Sequence, residues 1–291
     1  MARIGWTALI VAVAGLAFAA GASAVSPDVQ AMNLQAADVP GAKVVNEHAA
    51  TLKGYTAAHV RSFEFSAPNG GSRLVSIDSE VALASSPSTA TADVAAAERG
   101  FRSTAGRKVF IAATAKVLKV KAKAVALGRP HKVAGYDQGI EVAASVKLQG
   151  IRVYVNLIYV RLDRVFLQMV ESGTRPIGAG VTGKYAGAIA SHIATELSPI
   201  GISAPTVTGT AQQGQTLTAT PGTWTATDAT FAYQWQHCDA AGANCTDIAG
   251  ATAQTYAVNP ADVGTTLHVV VKAANRFGSG TAASTSTAVV T

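Results

Sequence analysis

Charge is scarce in this chain. Only 14% of its 291 residues are charged, well under the ~25% of an ordinary soluble domain. With 49% apolar residues, such a composition buries enough surface to offset the entropy of ordering, which excludes a disordered chain. The two cysteines are too few for a disulfide-dense mini-scaffold or a four-cysteine zinc module. Beyond the N-terminus no apolar run approaches the ~20 residues that cross a bilayer, so a multi-span membrane protein is excluded. Collagen and coiled-coil repeats are absent as well. So are the local signatures of catalysis: G-x-S-x-G, H-E-x-x-H and the alternating Asp/Asn loop for calcium.

What is present begins with an address. Arg3 precedes an uncharged apolar stretch from Ala8 to Ala20, and Ala22-Ser23-Ala24 then supplies the small-x-small pattern of a signal peptidase site. The stretch falls short of a spanning helix, which disfavours the competing reading of an uncleaved anchor. Residues 1–24 are expected to be a signal peptide. The mature chain then begins near Val25, carries no membrane span, and is secreted or held at the cell surface. Export also bears on Cys238 and Cys245. They lie seven positions apart, with Gly242 between them for a reversal, and an oxidising compartment favours a disulfide across a hairpin. Half a metal site is the rival reading, with His237 as its further ligand.

Charge divides the chain near Ser198-Pro199-Ile200-Gly201. Residues 25–198 hold 20 Lys and Arg against 13 Asp and Glu, whereas beyond them Lys272 and Arg276 face Asp228, Asp239, Asp247 and Asp262. The length fits about two domains, expected at 25–198 and 205–291 with a linker at 199–204. In the first, Phe63 and Phe65 share a strand face, Pro68-Asn69-Gly70-Gly71 turns the chain, and Arg73 to Val81 returns. A helix capped by Thr91 runs to about Leu118, with a break at Gly106. Strands from Ile140 to Leu148, Ile151 to Arg161 and Val165 to Val170 follow. Their reversals, at Gln149-Gly150 and Leu162-Asp163, are too short for anything but an antiparallel meander. Tyr185, Ile189, Ile193 and Leu197 then repeat every four residues on a closing helix. A meander with one apolar face needs those helices as cover, which predicts an α+β fold, an antiparallel-sheet/helix sandwich.

Gly178-Ala179-Gly180-Val181-Thr182-Gly183 fits G-x-G-x-x-G. No acidic residue lies between 197 and 227 to hold a ribose, so no dinucleotide is expected, and the glycines are read as shaping a tight strand-to-helix connection. His192 and Glu196 share a helix face but offer too few ligands for a metal. No catalytic residue, metal site or cofactor is expected.

One feature rises above this background. Between Arg99 and Tyr136 there is no Asp or Glu, yet Arg99, Arg102, Arg107, Lys108, Lys116, Lys119, Lys121, Lys123, Arg129 and Lys132 all carry charge. Lys116, Lys119 and Lys123 share a face of a helix, and Lys119, Lys121 and Lys123 a face of a strand. The functional reading is an anion-binding surface on Lys116, Lys119, Lys121 and Lys123, met by an anionic cell-envelope polymer or another surface protein. The bland reading is a solvated face or a lysine-blunted edge strand. Phe101, Phe110 and Tyr136 are too few aromatics for single-strand binding, so no nucleic acid is expected.

Residues 205–291 carry a specific resemblance. The segments Gly214-Gln215-Thr216-Leu217, Pro221-Gly222-Thr223-Trp224, Tyr233-Gln234-Trp235-Gln236-His237-Cys238 and Asp262-Val263-Gly264 resemble the immunoglobulin-like repeats of secreted bacterial surface proteins. The resemblance implies an all-β immunoglobulin-like sandwich around Trp235, and turn residues about every ten positions agree with it. The inter-sheet disulfide of antibody domains is missing. The element order of residues 30–197 resembles the PsbP-like sandwich, which implies a non-catalytic binding or sensing module. The expectation is a secreted, non-enzymatic binding or cell-surface protein. Its first domain would contact the ligand and its second act as spacer or adhesive module. The alternative is a secreted hydrolase or other enzyme with its site in the first domain.

Overall fold

The computed structural model describes residues 27–65, 74–226 and 228–291. The expected signal peptide and the turn at 68–71 lie outside the described residues. The chain divides into two compact units, Asp28–Ile193 and Ala194–Thr291.

The first unit is built on one seven-stranded sheet. Its strands are β1 (Ala42–Ala50), β2 (Tyr55–Phe65), β3 (Leu74–Ala84), β4 (Val125–Lys132), β5 (Gln138–Leu148), β6 (Ile151–Leu162) and β7 (Val165–Gly173). They run in the order β1-β2-β3-β7-β6-β5-β4, with every pair antiparallel. Two meanders are thus joined along β3 and β7. Helices α2 (Pro87–Arg102) and α3 (Thr104–Val117) link β3 to β4, α4 (Ala179–Leu197) closes the unit, and the single turn α1 (Val29–Met32) leads in.

Phe166 and Val170 pack with Ile140, Val142, Val155 and Leu157 beneath Ala90, Val94 and Phe101 of α2. The alternate residues of β7, Leu167, Met169 and Glu171, point to the opposite face, where α4 buries Tyr185, Ile189 and Ile193 as its spacing predicts. β7 is buried along its whole length. The expectation of one apolar face is therefore corrected: the central strands are covered on both sides. Their polar residues must find partners inside, because an unpaired buried polar group costs about 1–3 kcal/mol.

The helical stretch also departs from expectation. Pro87 stands in the first turn of α2 after Ser86, where its missing N–H costs nothing, and Thr91 lies inside the helix with its hydroxyl bonded to the Pro87 carbonyl. The break falls at Ser103, not Gly106. Ser103 ends α2 and caps α3, accepting the Gly106 N–H at 3.0 Å. Gly106 serves the crossing instead, since a Cβ there would stand 2.3 Å from the Gly100 carbonyl oxygen.

Three further elements lack the alternation that reveals a strand or helix in sequence. β1 is mostly exposed, and β4 is an edge strand with a bulge between Leu127 and Pro130, where a proline is tolerated. The lead-in is pinned by Asn33, which is fully buried. Its amide donates to the carbonyls of His59 at 2.9 Å and Ser79 at 3.2 Å, and its oxygen accepts from the Ser79 hydroxyl at 2.6 Å. The glycines of Gly178-x-Gly180-x-x-Gly183 need no special explanation. None has a positive φ, and a Cβ on any of them would meet nothing within 4 Å, so they do not shape the connection as expected.

Apart from the end of α4 and a 3-10 turn at Pro260–Asp262, the second unit is all β among its described residues. β12 (Thr230–Cys238), β13 (Thr246–Asp247), β15 (Thr266–Asn275) and β16 (Gly278–Ala283) form one sheet, ordered β13-β12-β15-β16. β9 (Thr206–Thr208), β10 (Thr216–Thr220) and β14 (Thr255–Ala257) form a second. Both contribute to a β-sandwich-like core around the fully buried Trp235, with Leu217 and Ala219 from one sheet and Leu267, Val269 and Val271 from the other. The Trp235 ring stacks on Tyr256 at 5.5 Å, and its N–H donates to the Ala253 carbonyl at 2.9 Å. The segment expected as a linker carries a strand, β8 (Gly201–Ser203), paired with β11 (Thr223–Trp224). Cys238 and Cys245 are bonded and close the β12–β13 hairpin. Between them Asp239 accepts the Ala241 and Ala243 N–H groups, each at 2.9 Å.

Candidate functional site

The acid-free stretch from Arg99 to Lys132 covers the end of α2, all of α3 and all of β4. Its corner is rigid for reasons already visible in Ser103 and Gly106. Arg107, one turn into α3, ties that helix to the bulge of β4. It donates to the carbonyls of Gly128 at 2.7 Å, Leu127 at 2.6 Å and Phe101 at 3.3 Å. Arg129 and Pro130 follow on β4, held in place by that clamp.

The result is an open depression of about 400 Å³ lined by Phe101, Arg102, Thr104, Arg107, Arg129 and Pro130. A second depression of about 600 Å³ shares Arg102 and adds Arg99 and Glu98. Arg102 is half exposed and paired with Glu98 at 2.8 Å across one helical turn, a contact worth only a few tenths of a kcal/mol. Three arginines thus line a groove that also takes in the Phe101 ring. Such planar, always-charged forks suit phosphate and carboxylate oxygens.

The four lysines singled out in the sequence lie elsewhere. Lys116 is in the last turn of α3, Lys119 follows with φ 52°, and Lys121 precedes and Lys123 lies within a short 3-10 turn. All four are exposed. Beyond Val117 the segment is neither helix nor strand, so neither expected shared face forms. α3 has 14 residues, which makes it about 20 Å long, and the lysines sit at its far end from Arg102 and Thr104. The arginines belonged to the same acid-free run in sequence. Nothing in their spacing announced that a helical corner and an edge bulge would bring Arg102, Arg107 and Arg129 together.

The other constellation of titratable groups lies under α4. Glu171 is fully buried and its Oε2 accepts the Thr182 hydroxyl at 2.7 Å. Asn156 bridges to Glu141 at 2.7 Å and to Thr182 at 3.1 Å. Oε1 of Glu171 has no hydrogen-bond partner. Burial, with the nearby Glu141 charge adding to it, pushes the Glu171 carboxyl up to about 7, against the opposing bonds from Thr182 and Asn156. Burial likewise raises Glu141. Titration near neutrality suits a general acid or base. With Glu171 at 0% exposure and Thr182 at 2%, however, a substrate does not reach it.

The remaining candidates are occupied structurally. His192 meets the Asn33 carbonyl at 3.1 Å and Asp38 at 3.7 Å. Cys238, Cys245 and His268 lie close together, but the disulfide leaves neither sulfur free to act as a thiolate ligand. Among the described residues no helix is long and apolar enough to cross a membrane.

No protein-family model and no curated protein matches the chain. Among solved structures, the extracellular domain of PknH from Mycobacterium tuberculosis is similar at a TM-score of 0.36 and 10% identity, over 60% of this chain and 98% of that one. A likeness at that level carries no functional weight.

Proposed function

We propose that this is a secreted, non-enzymatic binding protein of the cell surface whose first unit contacts an anionic envelope polymer. The observation that supports it is the basic surface from Arg99 to Lys132, with its arginine groove at one end of α3 and its lysines at the other. Two basic foci about 20 Å apart on one helix suit an extended polyanion better than a compact ligand. The second unit is read as an immunoglobulin-like module, on the buried Trp235 and the two facing sheets, and serves as spacer or adhesive element. Export rests on the N-terminal leader.

The test is sedimentation of the mature chain with purified envelope polymer across a salt series. Binding should weaken steadily as salt rises, because exposed charges are screened beyond ~8 Å near physiological salt. Changing Lys116, Lys119, Lys121 and Lys123 to Gln should weaken it further while leaving thermal stability within about ±0.5 kcal/mol. Polymer binding indifferent to both salt and the fourfold change would refute the reading.

A further inference from the structure

Resting on that reading, we infer that the arginine groove at the α2–α3 corner is a site for a phosphate group. The three guanidinium groups of Arg102, Arg107 and Arg129 line it, and the one acid beside it is Glu98, on Arg102. The surplus of arginine over acid favours the negative charge of a phosphate group. Arg107 is held in register by three backbone bonds that occupy most of its donors, so it supplies fixed charge while Arg102 and Arg129 supply the forks. Arg129 is exposed and its side chain has no hydrogen bond or ion pair among the described residues, so its fork is available.

The α3 backbone adds to this. Ser103 satisfies the Gly106 N–H with its side chain and the Arg107 N–H with its carbonyl. Thr104, which lines the groove, and Ala105 are the first two helical residues, whose N–H groups no helix can satisfy internally. Donors at a helix start together with arginine forks are the chemistry that selects a tetrahedral oxyanion. Phe101 and Pro130 supply apolar wall for the carbon skeleton attached to it. At about 400 Å³ the groove lies at the small end of ligand pockets, sized for one phosphate and the unit that carries it.

Two sources share this chemistry, a phosphorylated polymer unit and a phospholipid headgroup. The test uses the mature chain with three probes: glycerol 3-phosphate, glucuronate as a carboxylate of similar size, and phosphatidylglycerol vesicles. Glycerol 3-phosphate should bind more tightly than glucuronate by calorimetry, and changing Arg102 and Arg129 together to Gln should weaken it about tenfold or more. Both residues are exposed, so the variant should keep its melting temperature. The fourfold lysine variant should bind glycerol 3-phosphate as the wild type does. Vesicle binding lost in the arginine variant would assign the headgroup as source; glycerol 3-phosphate binding without vesicle binding would assign the polymer unit. Equal binding of glucuronate, or phosphate binding untouched by the arginine change, would overturn the inference. Polymer binding that falls in the lysine variant while glycerol 3-phosphate binding is untouched by the arginine change would overturn it alone and leave the broader reading standing. Phosphate captured in the groove without any polymer binding would do the reverse.

Discussion

Replacing Glu171 by Gln should make the first unit more stable at pH 8 and leave it nearly unchanged at pH 4.5. Glu171 is fully buried and its carboxyl is raised from an ordinary 4.5 to about 7, chiefly by burial. A carboxyl whose pKa is higher in the fold than in the unfolded chain contributes fully below the unfolded value, and that contribution is lost as pH rises through the folded one. The window is therefore roughly pH 4.5 to 7. A difference of about 2.5 units, at 1.36 kcal/mol each, gives about 3 kcal/mol. Gln keeps the shape and still accepts the Thr182 hydroxyl, so the variant removes the buried charge and little else. For a unit of this size, about 3 kcal/mol corresponds to a melting shift of about 6–12 °C. Asp78, pushed up to about 6 by burial, and the raised Glu80 and Glu141 act in the same direction. The quantity to read is therefore the difference between variant and wild type, from thermal melts at half-unit steps between pH 4.5 and 8.5. A difference that stays flat with pH, or a variant less stable than wild type at pH 8, would show that ionised Glu171 is well solvated by its neighbours.

Gly106→Ala should cost more than 2 kcal/mol despite the better helix propensity of alanine, since its Cβ would meet the Gly100 carbonyl oxygen at 2.3 Å; an unchanged melting temperature would refute the crossing argument. Changing Cys238 and Cys245 to Ser should lower the stability of the second unit by about 2.5 kcal/mol, the loop-entropy value for a ring this small, read from urea unfolding. A fragment beginning at Pro199 should melt higher than one beginning at Pro205, because the latter lacks β8 and uncovers Trp224, only 8% exposed in the whole chain. Equal melting would return residues 199–204 to the role of a linker.

Much of the first unit was legible because its elements carry their own periodicity. β5 and the first half of β6 alternate, β7 is a short apolar run, and their reversals at Gln149-Gly150 and Asp163 place φ in the left-handed region where the sequence supplies Gly, Gln and Asp. α4 shows its four-residue spacing. β1 and β4 were hidden because exposed edge strands bury too little to need alternation. The Ser103 hinge was missed because its signal, a serine three residues before Gly106, competes with the louder glycine. Glu171 lay past the expected end of its strand at Val170, and period two in any case reveals which face a residue shares and not whether a helix covers it.

Sequence by itself determined the local matters: the N-terminal leader pattern, the charge contrast between the two halves, the antiparallel meander, and the cysteine pair whose seven-residue spacing allowed the hairpin bridge that Cys238 and Cys245 form. Each rests on residues near one another along the chain, whose interactions need no knowledge of distant partners. Only the tertiary structure decided that β3 pairs with β7, that both faces of β7 are covered, and that Arg102, Arg107 and Arg129 share one groove while the lysines lie at the far end of α3. Those outcomes depend on which separate elements pack together. That choice is made by burial summed over the whole unit, which no window of the sequence contains.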